Sequence, residues 1–229
     1  MCGRFTLRTS RKGLVESFDL LNADMADMAD MPELRLRYNI APTQQVAAIR
    51  VRENGRRQLV LLKWGLIPSW ADDPAIGNRM INARGETVAT KPSFRSAFKS
   101  RRCLIVADGF YEWQKRGAAK QPYLTGLESG KPFAFAGLWE HWHHEDQTIE
   151  SCTIITTTAN ELMEPLHDRM PVILPPSRYD HWIDPKADRS DLEKMLQPYP
   201  ADEMSAFPVS TVVNNPRNDK PECVEKIDT

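Results

Sequence analysis

The stretch QVAAIRVRENGRRQLVLLKWG, residues 45–65, decides the fold class. Two runs rich in Val, Ile and Leu flank Asn54-Gly55, a pair that accepts positive φ, and the pattern reads as a β-hairpin. Working outward, further strands are expected at 103–113, 121–126, 132–139, 149–157 and 206–213, and helices at 11–22, 92–99, 159–164, 178–183 and 190–197. The first helix rests on Leu14, Phe18 and Leu21 at i, i+4, i+7. The last opens on Ser190-x-x-Glu193, the pattern of a capping box. Strands dominate, most connections are short, and no regular β-α-β alternation occurs. The expectation is a single α+β domain over 1–229, with a largely antiparallel sheet or barrel-like core and flanking helices. ADMADMADM, residues 23–31, repeats with a period that suits neither helix nor strand, and reads as a solvated loop or a frayed helix end.

With 229 residues the chain is long enough to bury a core without disulfide staples. Its 30 Lys+Arg against 31 Asp+Glu leave a net charge of −1. That excludes a strongly cationic coat for duplex DNA but not a local basic groove. The cysteines stand at 2, 103, 152 and 223 without any CxxC, so a zinc ribbon or a thioredoxin-type site is not expected. No apolar segment marks a signal peptide or a membrane span. The expectation is a soluble, cytoplasmic protein in a reducing compartment, with no bound metal or cofactor.

Cys2 is the most informative position. A small residue after Met permits removal of Met1, which leaves an α-amine (about 7.7–8.0 in model compounds) beside a thiol (about 8.5). Such a 1,2-aminothiol condenses with an aldehyde: the amine forms a Schiff base, the thiolate adds to it, and a thiazolidine ring closes. A cysteine inside a chain has an amide nitrogen and cannot do this. The alternative is a small hydrophobe in a chain that happens to begin Met-Cys, and on Cys2 alone that is the simpler reading. Gly3 permits close approach, and Arg4 adds a charge that favours thiolate or binds an anion.

Three further positions place a polar residue in apolar company. Asn82, in MINARGET, shares a strand face with Arg84; the alternative is a turn Asn. Glu112, in ADGFYEW, shares a face with Phe110, where poor solvation raises a carboxyl towards general-acid duty; an edge-strand Glu in water is the competing reading. His167, in EPLHDRMPVIL, suits proton transfer near neutral pH, or is a loop histidine without a role. HWHHE, 141–145, lacks the spacing of a helical metal pair and reads as a hairpin loop, with metal binding as the weaker alternative. KPSFRSAFKSRR, 91–102, has five basic residues and no acid. It reads either as a nucleic-acid surface or as an amphipathic helix with a basic exterior, Arg95, Lys99 and Arg102 sharing one face. Lys91 and Ser93 open it, and Trp64, Trp70 and Trp113 offer flat faces for unstacked bases.

Taken together and in this order, MCGRF, RYNIAPT, KWGLIPSW, INARGET, ADGFYEW and HDRMPVIL resemble the SRAP (SOS response-associated peptidase) family of abasic-site processing proteins. The tail VVNNPRND resembles the family's C-terminal end, so the resemblance spans nearly the whole chain. It implies the SRAP fold and covalent capture of abasic sites in single-stranded DNA, including at single/double-strand junctions. Cys2 would form the thiazolidine with the C1′ aldehyde, Asn82 would position the adduct, Glu112 would help open the sugar, and His167 would serve the Schiff-base steps and reversal. Arg4, Asn39, Arg84 and Arg169 would hold phosphates, and Trp70 or Pro42 would stack at the junction. AP lyase activity and self-processing of Met1 are further implications, and a monomer that associates with the nucleoid at damaged DNA is expected. The rivals are a class II glutamine amidotransferase, which also exposes Cys2-Gly3, a non-covalent single-strand-binding module, and a self-cleaving peptidase without a DNA role.

Overall fold

A computed structural model describes residues 2–20, 31–52, 54–117 and 119–228. Most of the ADMADMADM repeat lies outside the described residues. The strands are β1 (Phe5–Leu7), β2 (Arg37–Ile40), β3 (Gln45–Val51), β4 (Arg57–Trp64), β5 (Asn82–Arg84), β6 (Arg102–Ala107), β7 (Gly109–Arg116), β8 (Ala119–Leu127), β9 (Phe133–His144), β10 (Gln147–Thr158), β11 (Arg169–Pro171), β12 (Ile173–Leu174) and β13 (Met204–Pro208). They form a mainly antiparallel α+β architecture of two sheets. One is an open ladder, β13-β8-β7-β1-β2; in the other, β10-β4-β3-β6-β9 run side by side, and β9 pairs back onto β10 to close a barrel-like ring. Closure removes the exposed edges of those central strands.

The hairpin of β3 and β4 forms as the sequence implies, with Val51 opposite Arg57. Within its turn Gly55 takes φ 79°, while the Asn54 side chain accepts the Arg56 N–H at 3.0 Å. The region 103–113 is two strands, not one. The Asp108 carboxylate accepts hydrogen bonds from Thr6 Oγ1 at 2.7 Å, Thr9 Oγ1 at 3.0 Å and the Arg8 N–H. A side chain so engaged turns the backbone, and the chain passes from the ring (β6) to the open ladder (β7). This crossing sets the two sheets against each other.

Other expectations change as well. The first helix is Arg11–Ser17, and the last is Arg189–Lys194. Asp188 caps the latter through the Ser190 N–H, while Glu193 pairs with Arg189 instead of closing a box on Ser190. Residues 159–164 form no helix but a set of turns, because the Asn160 side chain takes the Met163 N–H at 2.9 Å and competes with helical bonding. The histidines of HWHHE are in strand: β9 and β10 stay paired out to His144 and Gln147, held by pairs such as Trp142 and Ile149, and only its Glu145 is in the turn, with Asp146. Among the described residues no group of three His, Cys, Asp or Glu can hold a metal ion. The last expected strand is Met204–Pro208, followed by a 3-10 turn at Thr211–Asn214.

Two residues expected at the surface belong to the interior. Trp64 is fully buried, edge-on to Phe5, and donates its indole N–H to the Ile81 carbonyl at 2.8 Å. Arg102 is 2% exposed. It donates to the carbonyls of Phe98 (2.6 Å), Lys99 (2.7 Å), Trp182 (2.7 Å) and Asp184. It thereby ties the end of the helix Arg95–Ser100 to the end of the helix Tyr179–Ile183, and burial holds its pKa down to about 10. Arg102→Met strands these carbonyls without a donor, and should lower unfolding stability by roughly 3–5 kcal/mol. Denaturant titration at neutral pH reads this as a lower midpoint.

Candidate active site

Three chain segments, two of them leading from different sheets, converge where the sheets meet. The first is the amino-terminal run. Phe5 pairs with Phe110, and the Tyr111 N–H reaches the Arg4 carbonyl at 3.0 Å, so Gly3 lies level with Glu112 along β7. Phe5 anchors the run between Trp64 and Phe135, at 5.2 and 5.8 Å between ring centroids. Cys2 is buried at the start of this run.

The second segment is β5, which lies parallel to β10 with Asn82 opposite Ile154. The loop before it is pinned by a close crossing of Gly65 and Gly77. A Cβ on either would meet the other's carbonyl oxygen at 2.6 Å, and Gly65 has φ 129°, so both positions need glycine. This loop carries Trp70, 56% exposed, and delivers Asn82 to the amino terminus. Asn82 Nδ2 donates to the Cys2 carbonyl at 2.8 Å, while its Oδ1 is buried with no hydrogen-bond partner among the described residues. An amide oxygen left in that state is an acceptor held for a donor.

The third segment is the turn after β10, where the His167 N–H bonds the Met163 carbonyl at 2.9 Å and Met163 is fully buried. His167 Nδ1 accepts the Arg169 N–H at 2.9 Å and lies 2.7 Å from Asp168 Oδ1. One nitrogen cannot serve both partners at once: Nδ1 accepts from Arg169 when it carries no hydrogen and donates to Asp168 when it does.

The first and third segments border a cleft of about 920 Å³ lined by Gly3, Arg4, Glu112, Trp113, His167 and Asn214, with Lys115 and Lys120 at its margin, and the second joins the site through the hydrogen bond from Asn82 to Cys2. Glu112 is 3% exposed, and this burial raises its carboxyl above the ordinary range, with His167 acting in the opposite direction. Burial also pushes the Cys2 thiol far up, and the Glu112 charge adds to it, while a hydrogen bond with the Arg4 backbone opposes it. A carboxyl and a thiol whose protonated forms burial favours, and an amide with a spare acceptor, therefore share one site. All four residues singled out from sequence (Cys2, Asn82, Glu112, His167) meet here, and so do Arg4 and Trp113.

The other expected contacts divide. Asn39 is fully buried and its Nδ2 donates to the carbonyls of Val213, Asn215 and Asn218, so it is a bolt for the C-terminal tail and does not face a ligand. Arg4 donates to Asn39 Oδ1 at 2.8 Å and Val213 O at 2.9 Å. Arg169 forms a two-point ion pair with Glu86 and also bonds Thr156 O at 2.7 Å. Arg84 and Lys91 are exposed and make no ion pair among the described residues, and Pro42 and Ser93 are half-buried. Sequence reasoning missed Asn214, which accepts the Trp113 indole N–H at 2.7 Å, and Asp219, which accepts the backbone N–H groups of Tyr38 and Asn39. The tail motif VVNNPRND contains both, but nothing in its spacing says it folds back onto residues 4 and 39. Cys103, Cys152 and Cys223 are buried and unpaired by disulfides.

A family model described as SOS response associated peptidase (SRAP) matches residues 1–216. The abasic site processing protein YoqW of Bacillus subtilis (strain 168) is 46% identical over 98% of this chain and 99% of its own length. YedK of Escherichia coli (strain K12), also named an abasic site processing protein, is 30% identical over 99% of this chain and 100% of its own. HMCES of Xenopus tropicalis, named in the same way, is 34% identical over 76% of this chain and 59% of its own. A crystal structure of a Bacteroides thetaiotaomicron protein superposes with a TM-score of 0.82 at 23% identity, covering 99% of this chain and 100% of that one, which is a likeness of fold.

Proposed function

The chain belongs to the SOS response associated peptidase (SRAP) family, and we propose that it processes abasic sites by binding single-stranded DNA and bonding Cys2 covalently to the lesion. The names of its relatives support the lesion, and the site supports the chemistry. The observation that carries the reading is the buried Cys2, held through its own carbonyl by Asn82 beside the buried acid Glu112.

Removal of Met1 converts the Cys2 nitrogen from amide to amine. Glu112, whose protonated form burial favours, protonates the ring oxygen of the deoxyribose hemiacetal, and the C1′ aldehyde opens. The amine attacks C1′, and loss of one water leaves an imine, with His167 relaying the protons. The S–H then adds across the C=N bond, sulfur to C1′ and hydrogen to nitrogen, which closes the thiazolidine. The overall balance is aldehyde plus aminothiol giving thiazolidine plus one water. Asn82 holds the Cys2 carbonyl throughout and offers Oδ1 to the new nitrogen's hydrogen. An imine without thiol capture instead invites elimination of the 3′ phosphate, so lyase activity is the side reaction that Cys2 suppresses. Exposed Arg84 holds the strand's phosphates, and Trp70 stacks where single strand meets duplex.

Incubation with single-stranded DNA carrying one abasic site, followed by denaturing electrophoresis, tests this. A heat-stable shifted band should appear with the abasic strand and not with the intact one. If no band forms although mass spectrometry shows Met1 absent, the reading is wrong.

A further inference from the structure

The protein has a second basic depression that shares no lining residue with the cleft. It lies between the helix Arg95–Ser100 and the segment Pro185–Arg189, has a volume of about 750 Å³, and is lined by Arg95, Ser96, Lys99, Lys186 and Arg189 over a floor of Ala89, Phe98 and Leu192. Arg95 and Lys99, one helical turn apart, stand along one wall, and Lys186 and Arg189 form the other. Asp188, the acid in this lining, accepts the Ser190 N–H and so faces its own helix end. Arg189 pairs with Glu193, whereas Arg95, Lys99 and Lys186 are exposed and make no ion pair among the described residues. Arg102 bolts the carbonyls of Phe98 and Lys99 to those of Trp182 and Asp184 beneath, so the two walls are held in fixed relation. The pre-set walls hold three cations, Arg95, Lys99 and Lys186, without an ion pair among the described residues, in a chain whose net charge is −1. That is the arrangement for a ligand bearing several negative charges at regular spacing.

The backbone links this groove to the cleft. Asn82 bonds Cys2, Arg84 is exposed at the end of the same strand, and Ala89 is in the groove floor. Seven residues from Asn82 to Ala89 span at most about 25 Å. Arg84 lies exposed on that stretch and Lys91 just beyond it, and neither makes an ion pair among the described residues.

We propose that the groove is a second phosphate-tracking site, which takes the sugar-phosphate backbone of the same DNA strand several nucleotides from the reacting sugar. This rests on the reading of the cleft as a DNA site. The groove supplies affinity and length dependence, and no chemistry.

The test uses Lys99→Glu/Lys186→Glu in the full chain, with Lys12→Glu/Lys131→Glu as a charge-matched control. Intact single strands of about 5 and about 25 nucleotides bracket the footprint of one compact single-strand site. The groove variant should bind the long strand roughly tenfold more weakly than wild type, with a salt slope shallower by about 1.4, the value for two lost phosphate contacts on a single strand. Its affinity for the short strand and its adduct rate on a short abasic strand should match wild type. Equal affinity of wild type and groove variant for the long strand, or an equal loss in the control, overturns the proposal. Failure of wild type to form the short-strand adduct overturns covalent capture instead, because long-strand binding reads the groove without any adduct.

Discussion

Replacing Cys2 by serine should abolish the heat-stable adduct with abasic single-stranded DNA while leaving an amine that still condenses with the aldehyde. Serine keeps the free α-amine after Met1 is removed, and its hydroxyl is a far weaker nucleophile than a thiol. The imine therefore persists, and borohydride should recover a cross-linked band by reducing it. Strand scission at the lesion should rise in the same reaction, since elimination is no longer outrun by ring closure. Cys2 is fully buried, so a hydroxyl there lacks solvent and destabilises by about 1–3 kcal/mol. Cys2→Ala avoids that effect and should show the same chemical pattern. A heat-stable band without borohydride in either variant would remove the thiol from the adduct.

The second large effect is expected at Glu112. Glu112→Gln keeps the volume and hydrogen-bonding outline but has no proton to give, and general-acid steps of this kind contribute about 10²–10⁴-fold. The adduct should form more slowly by that order while binding of intact strand stays unchanged. The pH dependence separates this from misfolding. Burial raises the Glu112 carboxyl above its ordinary range, so wild-type adduct formation should fall as pH rises through that raised value, and the glutamine variant should lack this limb. The same shift acts on stability with a definite sign. Between the unfolded and the raised folded pKa, the native protein holds a proton that the unfolded chain has released, so stability declines as pH rises through that window. The glutamine variant escapes the decline and should be relatively more stable at its upper end. Adduct rates and denaturation midpoints measured across pH check both. A variant that reacts as fast as wild type would take Glu112 out of the chemistry.

The sequence on its own determined whatever depends on local pattern and on unusual residues. The β3–β4 hairpin follows from two apolar runs about a turn pair. The α+β character follows from many short strands without β-α-β alternation. Cys2, Asn82 and Glu112 were legible as candidates because each is a reactive or polar residue beside small or apolar neighbours, His167 because imidazole suits proton transfer, and all four because six motifs occur in a recognisable order. Only the tertiary structure decided which polar residues face a ligand and which serve the framework. Trp64 and Arg102 look like surface residues in their own segments, but one fills the core and the other ties four carbonyls of two helix ends. Asn39 and Asp219 hold the C-terminal tail across some 180 positions of sequence, and no local spacing encodes that contact. Asp108 splits an apparently continuous strand because its carboxylate finds donors on residues 6, 8 and 9, a hundred positions earlier. The physical reason is common to these cases. Hydrophobic period and turn chemistry act over a few residues and can be read along the chain. Desolvation and hydrogen-bond satisfaction depend on what distant segments bring to the same place, and exist only once the sheets have closed on each other.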